Sequence, residues 1–378
     1  MITEKRQWFV GAAPTVLIFA IIFLLSSFPS FAYQPAVVSA HPLASKAGLE
    51  VLKKGGSAAD AAVATAFALS VVEPYNSGIG GGGFLLYYEA KKKQVHFVDY
   101  REVSPSKTDP KFFAQNPRSL KQGVFSVAVP GFLKGMDTIH RKWRKVSWPT
   151  VLEPAIDLAS RGVLIQGRLA EKISKSSSLL SSDPEAARLY LTPYRRGEVK
   201  ISQQDLAKTY KDIQTGGAGV FYEGNLGEKL VREIEQKGGW INAEDLRNYR
   251  VHFRRPHQFD YKVYSLYSSP LPSSGGNGLN LLFNRAIINS LDQISPYSAE
   301  AYQIILEALK DYFDFRDIAL GDSPENIIGQ TTHLCAIDAE GNIASMTNTL
   351  NESFGSGIVV PGTGIVLNNE MGDFSLKK

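Results

Sequence analysis

The chain has 378 residues, of which 44% are hydrophobic, so it can bury a full core as one large domain or two smaller ones. Its 41 Lys and Arg residues nearly balance 37 Asp and Glu residues, which leaves a net charge of +4. So small a surplus of positive charge gives a nucleic-acid partner little support. The only cysteine, Cys335, excludes an internal disulfide. Because it lies among apolar residues of a predicted strand, we expect a buried, inert thiol and not a nucleophile.

The N-terminus has the pattern of a targeting segment. A basic pair precedes an apolar run over residues 8–25, and Ser30-Phe31-Ala32 resembles a signal-peptidase site. We therefore expect residues 1–32 to be a signal peptide that is removed during export to the periplasm or the extracellular space. The alternative is an uncleaved membrane anchor through residues 8–25, since about 18 apolar residues can just span a bilayer.

The first ordered element expected after this segment is a buried helix over residues 57–72. The segment is rich in alanine, offers Ser57 or Asp60 as a cap and stops before Pro74. The glycine run at 78–83 formally matches a dinucleotide-binding fingerprint, but a predicted strand follows it where that fingerprint requires a helix. We therefore interpret the run as close backbone packing inside a sheet.

The middle of the chain is mostly helical in pattern. We expect a helix over 151–160 that ends at Gly162, a serine-rich loop at 177–182 and two further helices within 203–250. An amphipathic helix is predicted over 298–320. Its charged residues are interpreted as a solvated face without a functional role.

The end of the chain predicts a β-hairpin. Residues 332–337 and 343–349 alternate between polar and apolar side chains, as strands do. The five residues between them include Gly341, which suits the positive φ that a tight turn requires.

The register of this hairpin brings two threonines together. If Asp338 lies opposite Asn342, Thr331 pairs with Thr349, although a bulge would shift the pairing by one residue. The turn therefore predicts that a second threonine hydroxyl faces the first.

Threonine chemistry gives this pairing a possible use. A threonine hydroxyl is a poor nucleophile until a base takes its proton, and an N-terminal threonine supplies that base as its own α-amine. Inside an unbroken chain this amine is an amide, so activity through Thr331 requires cleavage of the Gln330–Thr331 bond. The same hydroxyl can attack the Gln330 carbonyl, form an ester by an N-to-O shift and be released by hydrolysis.

From about Ala36 to Ser375 the chain resembles the gamma-glutamyltransferases, also called gamma-glutamyltranspeptidases or glutathione hydrolases. The resemblance implies an α+β fold, the four-layer αββα sandwich of the N-terminal-nucleophile hydrolases, incomplete at the C-terminus. It rests on Gly55-Gly56-Ser57-Ala58-Ala59-Asp60-Ala61, Gly80-Gly81-Gly82-Gly83-Phe84, Asp99-Tyr100-Arg101-Glu102, Val129-Pro130-Gly131, Pro272-Ser273-Ser274-Gly275-Gly276, Thr331-Thr332-His333 and the stretch from Leu367 to Ser375.

The resemblance also implies an activity. Members of the family break the γ-glutamyl amide of glutathione and related γ-glutamyl compounds, and pass the γ-glutamyl group to water or to an acceptor amino acid. It implies no cofactor and no metal. It divides the exported chain into a large-subunit-like region, 33–330, and the start of a small-subunit-like region, 331–378, which together form one structural domain.

Position by position, the resemblance assigns roles to the site residues. It makes Thr331 the nucleophile and Thr349 the hydroxyl that hydrogen-bonds it, in agreement with the hairpin register. It makes Arg101 the partner of the substrate α-carboxylate, a task that suits a bidentate guanidinium. The residues that would hold the substrate α-amine are Asn351, Glu370 and Asp373.

Two departures from the family pattern affect what we expect of the chain. The connection from Gly321-Asp322-Ser323-Pro324 to the cleavage site is short, and the family's downstream Ser-Ser and Gly-Gly motifs do not occur before Lys378. The Gly-Gly pair forms the oxyanion hole in the family, and loss of one oxyanion donor costs about 100- to 1000-fold in rate. We therefore expect the 378-residue chain alone to be poorly soluble, largely uncleaved and nearly inactive.

Two other functions stay open on this evidence. The chain could be an inactive truncated paralogue, or a half-enzyme whose missing small-subunit half is supplied in trans. It could instead be an acylase or a poly-γ-glutamate-processing relative that keeps the nucleophile and changes the acyl group. Arg101 together with Asp373 favours a γ-glutamyl substrate.

Overall fold

The computed structural model describes residues 33–288, 291–320 and 331–374. Their strands form one large antiparallel sheet and three small two-stranded sheets. In chain order the strands are β1 (Ala36–Ser39), β2 (Gly82–Glu89), β3 (Gln94–Asp99), β4 (Val163–Leu164), β5 (Lys200–Ile201), β6 (His252–Arg254), β7 (His257–Tyr261), β8 (Tyr264–Ser268), β9 (Thr331–Ile337), β10 (Ile343–Thr349), β11 (Val359–Val360) and β12 (Ile365–Val366).

Helices make up most of the remaining described chain, together with short 3₁₀ turns and one π-helical turn at Ala187–Leu191. The helices are α1 (Pro42–Lys53), α2 (Ala58–Val72), α3 (Pro110–Gln115), α4 (Phe132–Trp143), α5 (Trp148–Arg161), α6 (Gly167–Lys175), α7 (Ser177–Ser181), α8 (Pro184–Ala186), α9 (Thr192–Arg195), α10 (Gln204–Gly216), α11 (Gly219–Tyr222), α12 (Asn225–Gln236), α13 (Ala243–Asn248), α14 (Gly275–Ile288) and α15 (Ala299–Leu320).

The large sheet has the strand order β1-β9-β10-β2-β3-β6. Strands β9 and β10 come from the end of the chain, yet they lie between β1 and β2 from its beginning. The region before residue 331 and the region after it are therefore paired within one sheet. The division of the chain at 330 and 331 stays a prediction about cleavage.

Helix α2 is the centre of the core. Ser57 caps its first turn: its hydroxyl accepts from the Asp60 amide at 3.1 Å, and the Asp60 carboxylate accepts from the Ser57 amide at 2.9 Å. All fifteen residues of the helix are buried, because small alanine side chains let neighbouring elements pack around it. The predicted buried helix at 57–72 is confirmed, and it packs against β9 and β10.

The two faces of β9 and β10 have different surroundings. Alternate side chains such as Thr332, Leu334 and Met346 are buried on the face toward α2. The other face carries Thr331, whose side chain is exposed, and the half-exposed Thr349. Because side chains of a strand alternate between faces, the register decides which threonine hydroxyls lie on the open face.

The glycine run is close backbone packing, as predicted. A Cβ on Gly80 would lie 2.1 Å from the Val366 carbonyl oxygen, and one on Gly81 would lie 2.0 Å from the Thr349 carbonyl oxygen. Gly80 also forms a parallel bridge to Leu367. Only glycine permits these approaches, which bring the last described segment beside the start of β2.

A smaller unit of strands and helices follows β6. The β7–β8 hairpin packs on α14, with the rings of Tyr261 and Phe283 4.7 Å apart, and α14 packs on α15. Arg285 of α14 forms ion pairs with Asp311 at 2.7 Å and Glu307 at 3.1 Å. The predicted helix over 298–320 is confirmed, and its acidic residues face a neighbouring helix as well as solvent.

Two predictions about the middle of the chain are wrong. The serine-rich segment predicted as a loop contains α7, because buried Leu180 anchors it and serine hydroxyls bond backbone carbonyls one turn earlier. The region predicted to hold two helices holds four, α10 to α13, because glycines divide the pattern more often than expected.

Among the residues described, no helix has the length and apolar character needed to cross a bilayer.

Candidate active site

The two predicted threonines face each other in the structure. Thr331 is the first residue of β9, and it pairs directly with Thr349, the last residue of β10. The alternative register shifted by a bulge does not occur. The Thr349 hydroxyl accepts a hydrogen bond from the Asn351 amide at 2.7 Å, which fixes that oxygen beside the start of β9.

The turn at the far end of the hairpin holds this register. The carboxylate of buried Asp338 accepts from the backbone amides of Glu340 and Asn342, both at 3.0 Å, and from the Asn342 side chain at 2.9 Å. It also accepts from the Ala58 amide at the start of α2, at 3.0 Å. Gly341 has a φ of +82°, as predicted. The turn is thereby attached to the core helix.

The residue after Thr331 is anchored on the buried face of the sheet. Thr332 points to the buried face and donates to the Glu73 carboxylate at 3.1 Å. The same carboxylate accepts from Tyr75 at 3.2 Å and Asn76 at 3.3 Å. The Asn76 carbonyl accepts from the Leu350 amide at 2.9 Å. The short segment after α2 thus holds the neighbour of each threonine in place, Thr332 beside Thr331 and Leu350 beside Thr349.

Arg101 follows β3 and is held at its backbone. Its amide donates to the Asp99 carboxylate at 3.0 Å, and its carbonyl accepts from the Tyr249 hydroxyl at 2.8 Å. Its guanidinium forms ion pairs with Glu370, at 2.5 Å, and with Asp373. The structure thus brings the cation assigned to a substrate carboxylate into contact with two acids assigned to a substrate amine.

The cluster around this guanidinium is rich in acid. Burial raises the pKa of Glu370, Arg101 lowers it and Asp373 raises it again, so that it reaches about 7. Burial and the nearby Glu370 also raise the pKa of Glu102, whose two oxygens have no hydrogen-bond partner among the described residues. Burial disfavours the charge of Arg101, but Glu370 and Asp373 outweigh it and raise the pKa of that group. A ligand cation placed beside Glu370 and Asp373 would favour their charged forms.

Two consecutive asparagines place the acidic segment. The Asn368 side chain donates to the Gly80 and Ala128 carbonyls, at 2.7 and 2.8 Å, and its oxygen accepts from the Glu370 amide at 2.9 Å. The Asn369 carbonyl accepts from the Asn351 side chain at 3.1 Å. All residues predicted to hold the α-amine therefore lie in one cluster.

A cavity of about 370 Å³ adjoins this cluster. It is lined on one side by Arg101, Glu102 and Asp373, and on the other by Arg254 and the Ser273–Ser274 pair of the upstream Pro-Ser-Ser-Gly-Gly motif. Arg254 is itself paired with Asp99 at 2.6 Å. The charged cluster of Arg101, Glu102 and Asp373 therefore forms part of the wall of this cavity.

The prediction for Cys335 is wrong. Its side chain is exposed, because it shares the open face of β9 with Thr331 and His333, while its neighbours Leu334 and Ala336 face the core. Its sulfur lies 3.5 Å from the His333 ring, which in turn contacts the Thr347 hydroxyl at 2.8 Å. Neighbouring side chains on the open face partly desolvate the His333 ring, and this desolvation lowers its pKa.

The sequence analysis missed three residues of the site: Glu102, Glu73 and Asn368. A fourth residue, Gln330, was predicted but is not among the described residues. Glu102 stands next to Arg101 in the quoted motif, and buried Glu73 is an acid placed directly after an apolar helix. Asn368 is the second residue of the quoted C-terminal stretch. The only signal that could have found these residues is that each is a polar residue directly beside an apolar one. Gln330, predicted to be the residue before the cut, lies outside the described residues, as do the predicted targeting segment and the shortened connection.

The fold and the site define an α+β protein of the N-terminal-nucleophile hydrolase type, with a threonine at the start of a central strand. Comparisons with known proteins agree. The sequence profile of a family described as Gamma-glutamyltranspeptidase matches residues 44–327 and 323–378. The chain is 34% identical to the Glutathione hydrolase proenzyme of Bacillus subtilis (strain 168), over 89% of this chain and 68% of that protein.

Solved structures show the same relationship. The Helicobacter pylori gamma-glutamyltranspeptidase superposes with a TM-score of 0.71 at 32% identity, over 77% of this chain and 85% of that one. A cephalosporin acylase from Bacillus halodurans superposes with a TM-score of 0.77 at 26% identity, over 92% of this chain and 71% of that one. The chain belongs to the gamma-glutamyltranspeptidase family, a family of enzymes, and the family and fold class predicted from its motifs are confirmed.

Proposed function

We propose that this protein transfers the γ-glutamyl group of glutathione or a related γ-glutamyl compound to water or to an amino acid. One observation carries the proposal. The Thr331–Thr349 pair and the charged cluster of Arg101, Glu370 and Asp373 lie at the same end of the sheet, joined by the hydrogen bonds of Asn351. A nucleophile and a recognition site for an amino-acid end are therefore side by side.

The charged cluster fits a zwitterion. A ligand α-carboxylate would take the place of one carboxylate on the Arg101 guanidinium, and the ligand α-ammonium would lie against the acid that is released. Both exchanges replace an ion pair by an ion pair, so no buried charge is left unpaired. A γ-glutamyl group held in this way would direct its γ-carbonyl away from the cluster, toward Thr331.

The nucleophile would be produced by self-cleavage. The Thr331 hydroxyl attacks the Gln330 carbonyl, the peptide nitrogen leaves as the Thr331 α-amine, and water hydrolyses the resulting ester. The free amine then accepts the hydroxyl proton when the oxygen attacks a γ-glutamyl carbonyl. The leaving amine takes a proton, a γ-glutamyl ester of Thr331 remains, and water or an acceptor amine releases the product. The Thr349 hydroxyl supports the attacking oxygen.

Two anilides test the function and separate it from the acylase alternative. Hydrolysis of a γ-glutamyl anilide should exceed that of the glutaryl anilide, which is the same acyl group without its α-amine. Thr331→Ala is the matched control, since it removes only the attacking group. Equal rates on the two anilides would favour a general acylase, and turnover that persists in Thr331→Ala would contradict the proposal.

We further propose that activity requires a polypeptide partner that covers the open face of β9, in keeping with a half-enzyme completed in trans. The exposed side chains of Thr331, His333 and Cys335 support this proposal, because covering a site removes bulk solvent and strengthens the electrostatic interactions inside it. Export, with removal of residues 1–32 or anchoring through residues 8–25, is the localisation we propose.

The single cysteine provides the test of a covering partner. Cys335 should react readily with a maleimide in the chain alone. A separately produced polypeptide that carries the family's downstream Ser-Ser and Gly-Gly motifs should slow this labelling and raise anilide hydrolysis in parallel. Full activity while Cys335 stays reactive would contradict the proposal.

A further inference from the structure

The end of the sheet opposite the threonine pair gathers several elements around one turn. The turn residues 338–342 bond the start of α2 through Asp338 and the tip of the β2–β3 hairpin through Asn342, which accepts from the Ala90 amide at 3.0 Å. Glu340 of the same turn forms an ion pair with Lys145, just after α4. Helix α1 ends at Lys53, five residues before α2 begins, so the ends of α1 and α4 and two hairpin tips share one surface.

This surface, which we call the basic end, carries an excess of positive charge. Three of its cations are balanced by carboxylates: Lys92 by Glu89, Arg141 by Asp137 and Lys145 by Glu340. A further set of exposed cations has no carboxylate partner within the described part of the chain. These cations are Lys53, Lys91, Lys93, Lys142 and Arg144.

Aromatic rings lie beside these cations. Trp143 stacks on Tyr87 with ring centroids 4.3 Å apart, and the Lys142 ammonium lies 5.4 Å from the Trp143 ring and 5.1 Å from that of Phe253. The Phe253 side chain is 51% exposed. Of these rings Tyr87 is buried, while Trp143 is half-buried beside Lys142. A tryptophan beside lysines is a combination that is also found at the interface of a bilayer.

The described chain also begins at the basic end. The Tyr33 amide donates to the Ala339 carbonyl at 3.2 Å, and the Tyr33 ring lies against Gly341. The apolar run of residues 8–25 precedes this point in the sequence by only a few residues. A membrane that holds this run would therefore be close to the basic end for as long as the run is attached to the chain.

We propose that the basic end is a docking surface for the anionic phospholipid headgroups of a bilayer. Five cations without carboxylate partners supply the charge complementarity, and the position of Tyr33 supplies the proximity. Each Lys or Arg near an anionic surface strengthens binding about five-fold, and the effect is lost at high salt. This inference does not depend on catalysis by Thr331.

The orientation follows from the strands. Thr331 and the basic end lie at opposite ends of β9, a strand of seven residues, so they are about 20 Å apart. A protein that rests on its basic end therefore presents the threonine pair and the Arg101 cluster away from the bilayer.

The test measures how closely the basic end approaches a vesicle. In the full chain, Gln94→Cys with Cys335→Ser gives a single fluorophore position beside Lys93, and energy transfer to a headgroup-labelled lipid reports the distance. We expect stronger transfer on vesicles that contain phosphatidylglycerol than on phosphatidylcholine vesicles. The triple variant Lys91→Gln, Lys93→Gln and Arg144→Gln should lower the ratio of the two vesicle affinities by on the order of 100-fold.

A matched triple variant on other elements is the control. Lys208→Gln, Lys229→Gln and Arg232→Gln remove the same charge from exposed positions of α10 and α12. Since residues 8–25 are identical in every variant, differences between them report the surface. Equal transfer on both vesicle types, or equal loss in both triples, would overturn the proposal. A third result would also overturn the proposal: the triple variant of the basic end still approaches vesicles but no longer binds soluble polyglutamate. The partner of the basic end would then be an anionic polymer.

Discussion

Thr331 carries two reactions in the proposed function, so its replacement has the sharpest expected result. Thr331→Ala should give one uncut band on a denaturing gel and no anilide hydrolysis, because the same oxygen attacks in both steps. Thr331→Ser keeps an oxygen and should process more slowly. A two-band pattern in Thr331→Ala would rule out the assignment, whatever the activity of the parent chain.

Arg101 is expected to affect substrate binding and not self-cleavage. Its guanidinium would contact a carboxylate that only the ligand provides, so Arg101→Ala should raise KM with little change in the cut fraction. Loss of a charged hydrogen-bonding partner corresponds to about 10- to 100-fold in KM. Asp373→Ala should behave likewise through the ligand amine. A KM that stays unchanged in Arg101→Ala would refute this role.

The raised pKa of Glu370, about 7, predicts a pH dependence. Below this pH the carboxyl is protonated and holds a ligand ammonium weakly, so affinity for a γ-glutamyl ligand should rise from about pH 6 to about pH 8. Without ligand, the stability of the folded chain should change with pH in the opposite direction. The pKa of Glu370 is higher in the folded chain than its unfolded value of 4.5, so its contribution to the free energy of unfolding falls as the pH rises from 4.5 through 7.

Glu370→Gln is the control for both trends, since it cannot ionise. Titration of ligand affinity and of the urea midpoint should be flatter in this variant across the same interval. Identical slopes in the two proteins would show that another group titrates.

At the scale of the element, the β9–β10 hairpin depends on one buried carboxylate. Asp338 accepts four hydrogen bonds, one of them from the first residue of α2. Asp338→Ala should lower the free energy of unfolding by about 2 to 4 kcal/mol, because buried amides lose a charged acceptor. Glu340→Ala, in the same turn but exposed, should change it by less than about 1 kcal/mol. Urea denaturation measures both, and equal effects would contradict the anchoring role of Asp338.

Elements whose signal is local could be predicted from the sequence. The register of Thr331 with Thr349 follows from the length of the turn, and α2 follows from its alanines and its cap. Helix α7 could not be predicted, because it depends on the burial of Leu180 and on the packing of Leu179 beside Gly357, which is distant in sequence. The roles of Glu73 and Asn368 depend on long-range hydrogen bonds, which local patterns do not contain.

At the scale of the whole molecule, the burial of a strand residue depends on which layers cover its sheet. The pattern of β9 correctly predicts two faces, and the buried face is Thr332, Leu334 and Ala336. The prediction for Cys335 failed because the sequence does not say which faces are covered within the described chain. The motifs were sufficient to identify the family from the sequence, because they are short, occur in a defined order and contain glycines at positions that tolerate no side chain.

The position of β9 between two strands has a consequence for a chain cut before Thr331. The new fragment would keep its pairing to β1 and, through β10, to β2, so scission of the backbone would not release it. With one cysteine in the sequence, no disulfide can hold the pieces either. The mature protein would be two polypeptides sharing one sheet. It should elute as a single species from a sizing column and separate only when the sheet itself is unfolded.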